Sequence, residues 1–422
     1  MILFNIYLLK THICSGVAFI YNAEFWAIFC CFLLFLIAEI IFNGVKMIYF
    51  DNAATSGFKP TKSYEAAINA FKNLNANPGR SGHRLSVAAS AALFQARKSV
   101  ATFFNASSPE RVVFTPSCTY ALNAAIFGLY KKGTRVITTV TEHNSTLRPL
   151  YELKRLGLIE LTIVSPESSA ICASDIEKVL DDDVCLVCVN AVSNVTGAEN
   201  DIEGIGKLLQ NTKALFLVDG AQAAGHKPID VENAHIDALC VPSHKGLLGV
   251  AGAGALVLSS KAQIRPTVFG GTGFDTFSPS MPENLPESLE AGTLNLPAIL
   301  SMKAGVDYLI GNVKYVSNQL KNLTDYFIGE LSLRPFIKLY SIPNRSGIIA
   351  FSHSDISSQA LSEILSDKYD IATRGGFHCA PLYHKFLKTE KLGLLRVSLS
   401  PQNTRKEINA FLFALDEISH SF

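Results

Sequence analysis

The sequence has no excess of charge of either sign and few charged residues overall. Lysine and arginine number 37, aspartate and glutamate number 36, and together they make up only 17% of the 422 residues. A broad electrostatic field that would collect nucleic acid or an anionic membrane is therefore excluded, and any anion site has to be local. The 48% hydrophobic content lets the chain bury a large core, which argues against disorder.

The nine cysteines lack the spacing of metal ligands. Only Cys30 and Cys31 are adjacent, and they lie in an apolar run. Neither a disulfide framework nor a zinc site is indicated, and no metal is expected. Internal repeats and low-complexity segments are also missing. This use of cysteine is typical of a reducing compartment, and we expect a cytoplasmic protein.

Residues 1–46 differ in character from the rest of the chain. Residues 25–42 are apolar except for Glu39, which is close to the ~20 residues that span a bilayer. A membrane anchor is one interpretation. A secretory signal is disfavoured, because the apolar run lies far from the start and no small-residue cleavage site follows it. We favour an upstream extension before a true start at Met47, where a well-patterned domain begins without a linker.

After Met47, short apolar runs alternate with amphipathic stretches, which predicts an α/β fold with a mostly parallel sheet covered on both faces. The strand-like runs are 111–115, 135–140, 161–164, 184–189 and 214–218. The helical periods between them are 120–130, 147–156 and 201–209. A loop-rich region over 270–297 interrupts the pattern. A smaller α+β unit is predicted from a long helix over 299–331, strands at 348–351 and 394–399, and helices that start at Ser357 and Thr404.

Two polar residues, 26 positions apart, follow buried strands. Asp219 ends an apolar strand at the edge where doubly wound sheets bind ligands, and an acid there can keep a pyridine nitrogen protonated. Lys245 follows the next strand and suits addition to an aldehyde, because a desolvated amine has a lowered pKa. Taken singly, Asp219 could be a turn residue and Lys245 a solvated loop lysine. The pair resembles the fold-type I pyridoxal-phosphate (PLP) enzymes of aminotransferase class V.

The resemblance extends from Met47 to the C-terminus and implies a fold and a cofactor. The cofactor is pyridoxal 5'-phosphate, held by Lys245 and Asp219. The fold is a large PLP-binding domain over 60–297 with a mostly parallel seven-stranded sheet. A smaller α+β domain is formed by 47–59 and 298–422, and the extension 1–46 precedes both.

Two segments resemble family motifs that approach the substrate and the phosphate. Residues 50–55, Phe-Asp-Asn-Ala-Ala-Thr, resemble the DNAAT turn, which implies a substrate contact for Asn52; an ordinary strand-to-loop turn is the alternative. Cys118 and Thr119 precede a helix, where backbone N–H groups, hydroxyls and the helix dipole suit a phosphate. A plain N-cap would explain Ser117 or Thr119 equally well.

Further cofactor contacts are implied by the same resemblance. His143, in Thr-Glu-His-Asn, matches the imidazole that lies over the pyridine ring, and it can act as an acid or a base. Asn194 and Gln222 match the two amides that contact the phenolic oxygen. Thr293 lies in Glu-Ala-Gly-Thr-Leu-Asn, which resembles the EAGTPN loop that reaches the partner subunit's phosphate. That loop implies a homodimer.

A cysteine in the segment Arg374-Gly-Gly-Phe-His-Cys379 distinguishes a desulfurase from the other class V enzymes that this sequence resembles. A desulfurase needs a thiolate that attacks the sulfur of the bound substrate, and a cationic neighbour such as Arg374 favours that form. The alternative is a buried, inert cysteine, although the sequence is a poor core pattern. Arg396 matches the arginine that pairs with the substrate α-carboxylate, a task for a bidentate donor. The resemblance therefore implies substrate binding by Arg374 and Arg396.

The short spacing from Arg374 to Cys379 resembles group II desulfurases, which include Suf-type enzymes and group with selenocysteine lyases. Two positions depart from the family pattern. Gly79 stands where the family has the first histidine of an N-x-H-R-G-x-H-x-L-S stretch. Before Lys245 the chain has Pro-Ser243-His244, where the resemblance implies cofactor contacts for Ser243 and His244. The phosphate-binding hydroxyl assigned to Ser243 is displaced by one position.

The resemblance implies that L-cysteine is converted to L-alanine while its sulfur passes to Cys379 as a persulfide. Lys245 moves the α-proton, with His143 as a second proton carrier. The sulfur then goes to an acceptor protein, as in iron–sulfur cluster assembly, or to a reductant. Two alternatives stay open: a selenocysteine lyase, epimerase or β-lyase acting on a small amino acid, and a non-catalytic PLP-binding partner in sulfur transfer.

Overall fold

The structure is a computed structural model that describes residues 47–421. The apolar run 25–42, and with it the predicted anchor or extension, lies outside the described residues. Within residues 47–421, none of the helices combines the length and the apolar character that a bilayer crossing requires.

Twelve strands and eleven α-helices alternate along the described chain. The strands are β1 (Ile48–Tyr49), β2 (Val112–Thr115), β3 (Thr134–Thr139), β4 (Ile159–Val164), β5 (Val184–Asn190), β6 (Leu215–Asp219), β7 (Ala238–Pro242), β8 (Gly254–Leu258), β9 (Ile337–Leu339), β10 (Ile348–His353), β11 (Ile371–Ala372) and β12 (Leu395–Ser398). The helices are α1 (Thr61–Asn73), α2 (Arg84–Phe104), α3 (Cys118–Leu129), α4 (Asn144–Arg155), α5 (Ala173–Glu177), α6 (Ile202–Leu209), α7 (Leu296–Leu309), α8 (Val313–Ser332), α9 (Ser358–Tyr369), α10 (Pro381–Phe386) and α11 (Arg405–Ser419).

The main sheet has seven strands in the order β2-β8-β7-β6-β5-β3-β4. The strands β7, β6, β5, β3 and β4 are parallel, whereas β8 is antiparallel to both of its neighbours. The predicted α/β fold with a mostly parallel seven-stranded sheet is confirmed. Because β8 is antiparallel both to β7 and to β2, β2 runs in the same direction as the five parallel strands. Six strands therefore end at one edge of the sheet.

Alternate residues of the central strands enter two separate cores, one on each face of the sheet. In β5, Val187 and Val189 pack in one hydrophobic cluster, while Leu186 and Cys188 pack in the other. All seven residues of β5 are buried. The near-continuous apolar run of this strand follows from burial on both faces.

The helix predicted over 299–331 is wrong as a single element, because the structure has two helices there. Helix α7 ends at Leu309 and α8 begins at Val313. Gly311 lies between them with a φ of 84°, a left-handed conformation that glycine adopts without a steric penalty. A break at this glycine replaces the continuous helix.

The five strands outside the main sheet form two small sheets. Strands β12, β10 and β9 form an antiparallel sheet, and β1 pairs with β11 in parallel. A bridge between Asp51 and Ser398 connects the segment after β1 to β12. The division into domains at 60–297, and at 47–59 with 298–422, stays a prediction.

Candidate active site

The loops that follow six co-directional strands converge at one edge of the main sheet. Cys118 follows β2, His143 follows β3, Asn194 follows β5, and Lys245 follows β7. Asp219 is the last residue of β6. Doubly wound sheets bind their ligands at this carboxyl edge, and the topology brings together residues that are far apart in sequence.

A cavity of about 110 Å³ lies at this edge. Eight of the predicted site residues line it, namely Cys118, Thr119, His143, Asn194, Asp219, Gln222, His244 and Lys245. Ser243, Thr293, Asn52, Arg374, Arg396 and Cys379 are not among its lining residues. The predicted convergence of Asp219 and Lys245 on one cavity is therefore observed.

Asp219 is buried and has both a backbone and a thiol partner. The Ala221 N–H donates to Oδ1 at 2.9 Å, and the Cys118 thiol lies 3.8 Å from the same oxygen. Burial raises the pKa of Asp219, and the Ala221 N–H and the charge of Lys245 oppose the shift. A cation placed next to this carboxyl would favour its ionised form. Burial also raises the pKa of the Cys118 thiol well above its usual value, which favours the neutral thiol over the nucleophilic thiolate.

Lys245 lies in the turn after β7 with its side chain partly buried. Burial lowers the pKa of Lys245, whereas Asp219 and Cys118 act in the opposite direction. Arg396 and Arg374 add to the lowering. A lowered pKa leaves more of the amine in its neutral form, which is the form that adds to a carbonyl. A residue that binds an aldehyde cofactor needs this property.

His143 is held as a neutral ring at the start of α4. The Ser145 N–H donates to Nδ1 at 3.0 Å, which leaves the ring proton on Nε2. Burial and the nearby charges of Lys245, Arg374, Arg396 and Arg148 lower the pKa of His143 to about 4. An uncharged, flat imidazole at the cavity wall suits stacking on an aromatic ring.

His244 is a second neutral histidine in the cavity wall. Burial, then the charges of Lys245 and Lys59, lower its pKa to about 4. Its backbone carbonyl accepts hydrogen bonds from the Ser56 N–H at 2.9 Å and from the Thr55 hydroxyl at 3.2 Å. These contacts tie the segment after β1 to the turn that carries Lys245.

Two amides of the cavity wall have unused hydrogen-bonding capacity. Asn194 donates from Nδ2 to the His378 carbonyl at 2.6 Å, and Gln222 donates from Nε2 to the Ala53 carbonyl at 3.0 Å. The Oδ1 atom of Asn194 and the Oε1 atom of Gln222 are buried without a partner. Unpaired buried polar atoms are costly unless a ligand satisfies them. The wall therefore fits a polar cofactor.

The phosphate end of such a cofactor is predicted at the start of α3. Ser117 is the N-cap of this helix, and its hydroxyl accepts from the Tyr120 N–H at 3.4 Å. Thr119 is bound to Ser145 through their hydroxyls at 2.9 Å. Helix α3 has twelve residues, so its N-terminal N–H groups and dipole suit an anion. Ser243 is fully buried, and its hydroxyl has no partner; its phosphate role stays a prediction.

Arg396 is buried behind the cavity and is 1% exposed. Its Nη2 atom forms an ion pair with Asp51 at 2.8 Å, and Nη1 donates to the Asn194 carbonyl at 3.0 Å. Its Nε has no partner. Arg374 pairs with Arg396 through two backbone hydrogen bonds of 3.2 and 2.8 Å. The Asp51 partner of Arg396 was not predicted from the sequence, although Asp51 lies in the DNAAT-like segment.

Asn52 has a structural role that the sequence did not predict. Its Nδ2 atom donates to the Ser398 carbonyl at 2.9 Å, and its Oδ1 atom accepts from the Gly57 N–H at 2.9 Å. The amide is thus engaged by the backbone at both ends and fixes the turn after β1. The substrate contact of Asn52 stays a prediction.

Cys379 is exposed on a loop that is fastened to the cavity wall. The Asn144 N–H donates to the Cys379 carbonyl at 2.8 Å, next to His143. His378 is buried and donates from Nε2 to the Leu394 carbonyl at 3.0 Å. His378 and Cys379 have φ values of 50° and 58°, a left-handed conformation that is uncommon for residues other than glycine. The loop therefore presents the thiol in a defined, unusual backbone geometry.

Thr293 lies away from the cavity of its own chain, in a groove of about 1160 Å³. Asn77 approaches its hydroxyl at 3.4 Å. Thr119 lines both this groove and the smaller cavity, so the two spaces share a wall. Glu290, at the start of the same loop, forms a buried ion pair with Arg97.

With this fold and site, the chain belongs to the class V aminotransferase family, whose family model matches residues 48–411. Its relatives within the family are named cysteine desulfurases. A probable cysteine desulfurase from Methanothermobacter thermautotrophicus is 33% identical, with 88% of this chain and 94% of the relative covered. A cysteine desulfurase from Escherichia coli O127:H6 is 30% identical over 89% of this chain and 94% of the relative. The predicted family is confirmed.

Solved structures agree with this assignment. The structure of a cysteine desulfurase from Thermococcus onnurineus superposes with a TM-score of 0.81 at 28% identity, covering 89% of this chain and 96% of that chain. A cysteine desulfurase structure from Escherichia coli has a TM-score of 0.80 at 24% identity, covers 89% of this chain and 95% of that chain, and shares the fold. The predicted PLP fold type I is confirmed by these neighbours.

Proposed function

We propose that this chain is a PLP-dependent cysteine desulfurase that converts L-cysteine to L-alanine and receives the sulfur on Cys379. One observation carries the proposal. Lys245 and Asp219 line one cavity, and the loop that bears Cys379 is hydrogen-bonded to Asn194 in its wall and to Asn144, the residue after His143. The desulfurase names of the relatives support the same activity.

The residues of the cavity fit pyridoxal 5'-phosphate. Lys245 would hold the aldehyde carbon, Asp219 the pyridine nitrogen, and the start of α3 with Cys118 and Thr119 the phosphate. Asn194, Gln222 and His143 would contact the ring and its oxygen, with Ser243 and His244 nearby. When bound, the cofactor supplies an electron sink for the bonds at the substrate α-carbon.

The protein's own groups account for substrate binding and sulfur transfer. The Arg396 guanidinium, with Arg374 beside it, binds the substrate carboxylate, and Lys245 in its neutral form accepts the α-proton. The Cys379 thiolate then attacks the substrate sulfur. The new S–S bond forms as the Cβ–S bond breaks, and the electron pair stays with the carbon skeleton. Lys245 returns its proton to the α-carbon, and a second proton from solvent completes the methyl group of alanine. The exposed position of Cys379 leaves the persulfide open to an acceptor.

A second copy of the chain would complete the site. The groove that holds Thr293 also contains Tyr120, Phe127 and Val268, and it joins the cofactor cavity at Thr119. Three phenylalanines on the adjoining loop, Phe269, Phe274 and Phe277, are exposed. Exposed apolar surface of this extent is typical of a subunit interface. We therefore propose a homodimer in which Thr293 approaches the phosphate of the partner subunit.

The cellular role follows from the same chemistry. The persulfide on Cys379 would pass its sulfur to an acceptor protein that serves iron–sulfur cluster assembly, or to a reductant. The six cysteines of residues 47–421 are all free thiols, which supports a reducing cytoplasm.

One assay with purified protein, PLP, L-cysteine and a thiol reductant that releases the persulfide sulfur as sulfide tests the proposal. Sulfide and alanine should form with the wild type, and both should fall to background in Cys379→Ser and Lys245→Ala. Cys379→Ser should retain the absorbance of bound cofactor, whereas Lys245→Ala should lose its covalent attachment. Alanine that forms without dependence on Cys379, or faster turnover of selenocysteine through the Ser variant, would establish the lyase alternative. Cofactor binding without turnover of any small amino acid would establish the non-catalytic alternative.

A further inference from the structure

A buried polar cluster lies beneath the cavity, where the loop before α4 meets the ends of β3 and β5. Its members Thr139, Thr141, Glu142, Asn190 and Asn200 are all 3% exposed or less. Thr141 donates from Oγ1 to Asn190 Oδ1 at 3.0 Å, and Asn190 donates from Nδ2 to the Thr141 carbonyl at 2.6 Å. Asn200 donates to the Asn190 carbonyl at 2.7 Å. The cluster is therefore tightly connected, as buried polar groups must be.

Glu142 is the exception in this cluster, because it is a carboxyl group without a counter-ion. Its Oε1 atom accepts from the Thr139 hydroxyl and from the Asn190 N–H, each at 2.8 Å. Its Oε2 atom is buried without a partner. None of the ion pairs formed by residues 47–421 includes it. An unpaired carboxylate in such a place is strongly disfavoured, and the group neutralises instead.

The surroundings of Glu142 support the neutral form. Burial raises its pKa to about 8, the Asn190 N–H opposes the shift, and the charge of Asp219 on β6 adds to it. Cys188 on β5 is a further titratable side chain near Glu142. The Thr146 hydroxyl of α4 is also buried without a hydrogen-bond partner. Interactions with the Thr139 and Thr146 hydroxyls oppose the rise in the pKa of Glu142 but do not cancel it.

The position of Glu142 connects it to two residues of the cavity. It directly precedes His143 in the chain. The backbone N–H of Asn190 donates to Glu142, and Asn190 is paired with Asp219 across strands β5 and β6. A single carboxyl group thus fastens the loop of His143 to the strand beside Asp219.

We propose that Glu142 is a positioning residue that acts as a neutral acid. In this form it holds the His143 loop against β5 and leaves Asp219 without a second negative charge nearby. The catalytic part of this proposal rests on the proposed function, because His143 and Asp219 have their roles in that reaction. The protonation state can be measured without any turnover.

The protonation state is tested by urea unfolding of the full chain without cofactor, as wild type and as Glu142→Gln, at one protein concentration and several pH values. Between pH 5 and about 7.5 the folded wild type keeps a proton that the unfolded chain releases, and the glutamine variant has no such proton. The ratio of the wild-type to the variant unfolding constant should therefore rise by up to about tenfold per pH unit. A ratio that is constant over this range would overturn the proposal.

Glu199→Gln is the matched control for this measurement. Glu199 is a partly buried carboxylate that is paired with Lys227 at 3.0 Å. Nearby Lys227 and the Arg345 N–H hold its pKa below the usual value in spite of burial. It is ionised in both states between pH 5 and 7.5, so the ratio of unfolding constants for this variant should not change with pH.

The positioning role is tested by kinetics on the loaded enzyme. The side-chain carbonyl in Glu142→Gln can still accept both hydrogen bonds, so this variant should retain kcat within about threefold. Glu142→Ala leaves the Thr139 hydroxyl and the Asn190 N–H unpaired and should lower kcat about tenfold or more, with little change in KM. Equal losses in the Gln and Ala variants would reject the positioning role. Absence of turnover in the wild type, with a pH-dependent unfolding ratio, would reject the proposed function alone and leave the neutral acid in place.

Discussion

Asn194 in the wall of the cavity donates a hydrogen bond of 2.6 Å to the carbonyl of His378, the residue before the exposed thiol. The backbone carbonyl of the same asparagine accepts from Arg396 at 3.0 Å. One residue therefore joins the cofactor cavity, the predicted carboxylate-binding arginine and the loop that bears Cys379. Any shift of Asn194 is transmitted to the thiol through a single hydrogen bond.

Asn194→Ala should release the Cys379 loop. The buried His378 carbonyl would lose its side-chain donor, which costs about 1–3 kcal/mol. We expect kcat for sulfide release to fall about tenfold or more, and the alkylation rate of Cys379 to change by a similar factor, as measured by mass spectrometry. Gln222→Ala is the control, because Gln222 donates to Ala53 and not to the loop. An alkylation rate that shifts equally in both variants would contradict this link.

Arg396→Lys should weaken the binding of the substrate carboxylate. The guanidinium contacts Asp51 and the Asn194 carbonyl from different nitrogens, and a lysine ammonium cannot reproduce this planar arrangement. We expect KM for L-cysteine to rise about tenfold to a hundredfold, with cofactor affinity little changed. Arg345→Lys, at a half-exposed arginine, is the comparison and should behave as wild type. A KM that stays at the wild-type value would exclude Arg396 from substrate binding.

The neutral histidines of the cavity should make the fold sensitive to acid. The pKa of His143 is lowered to about 4 in the folded state, so below pH 6.5 the unfolded chain binds a proton that the folded chain does not. Stability from this residue is complete above pH 6.5 and is lost as the pH falls toward 4. His143→Gln should therefore show a smaller fall in the urea midpoint between pH 6.5 and 5 than the wild type. The His143 ring should also show no titration by NMR between pH 5.5 and 8.

Glu290→Ala should detach the loop that carries Thr293. Glu290 accepts from the Phe114 N–H at 2.6 Å and pairs with Arg97, whose guanidinium lies 5.0 Å from the centre of the Phe114 ring. Removing one partner of a buried ion pair costs about 3–5 kcal/mol, because the other charge stays buried. Urea unfolding should show this loss, and light scattering should show fewer dimers. Glu152→Ala, which breaks the exposed pair with Arg155, should change neither; an unaffected Glu290→Ala protein would refute the anchoring role.

The strand core of the fold could be predicted because burial on both faces leaves a strong signal. The runs at 184–189 and 214–218 correspond closely to β5 and β6, whose residues are almost all buried. Strand β8 was not predicted, and neither was its antiparallel pairing with β7 and with the distant β2. Periodicity reports which residues are buried, but it does not report which strands pair.

Some features of the candidate site could likewise be predicted from the sequence, and others could not. Motif resemblance predicted Asp219, Lys245 and six further residues that line the cavity, because each lies in a short recognisable segment, whereas Ser145 and Asn190 of the same wall were not predicted. The pairing of Arg396 with Asp51 could not be predicted, since it joins segments 345 positions apart and depends on the folded register of β12. The lack of a cationic partner for Glu142 could not be predicted either, because it depends on which side chains surround this residue in the folded protein.

The two left-handed residues at 378 and 379 have a consequence for how this sequence can change. Each such residue other than glycine costs on the order of 1–3 kcal/mol, so a glycine at position 379 would fit the backbone better than the cysteine found there. Cys379→Gly should therefore stabilise the fold while it removes the thiol. The proposed transfer of sulfur to Cys379 would account for a cysteine at a position where the backbone favours glycine.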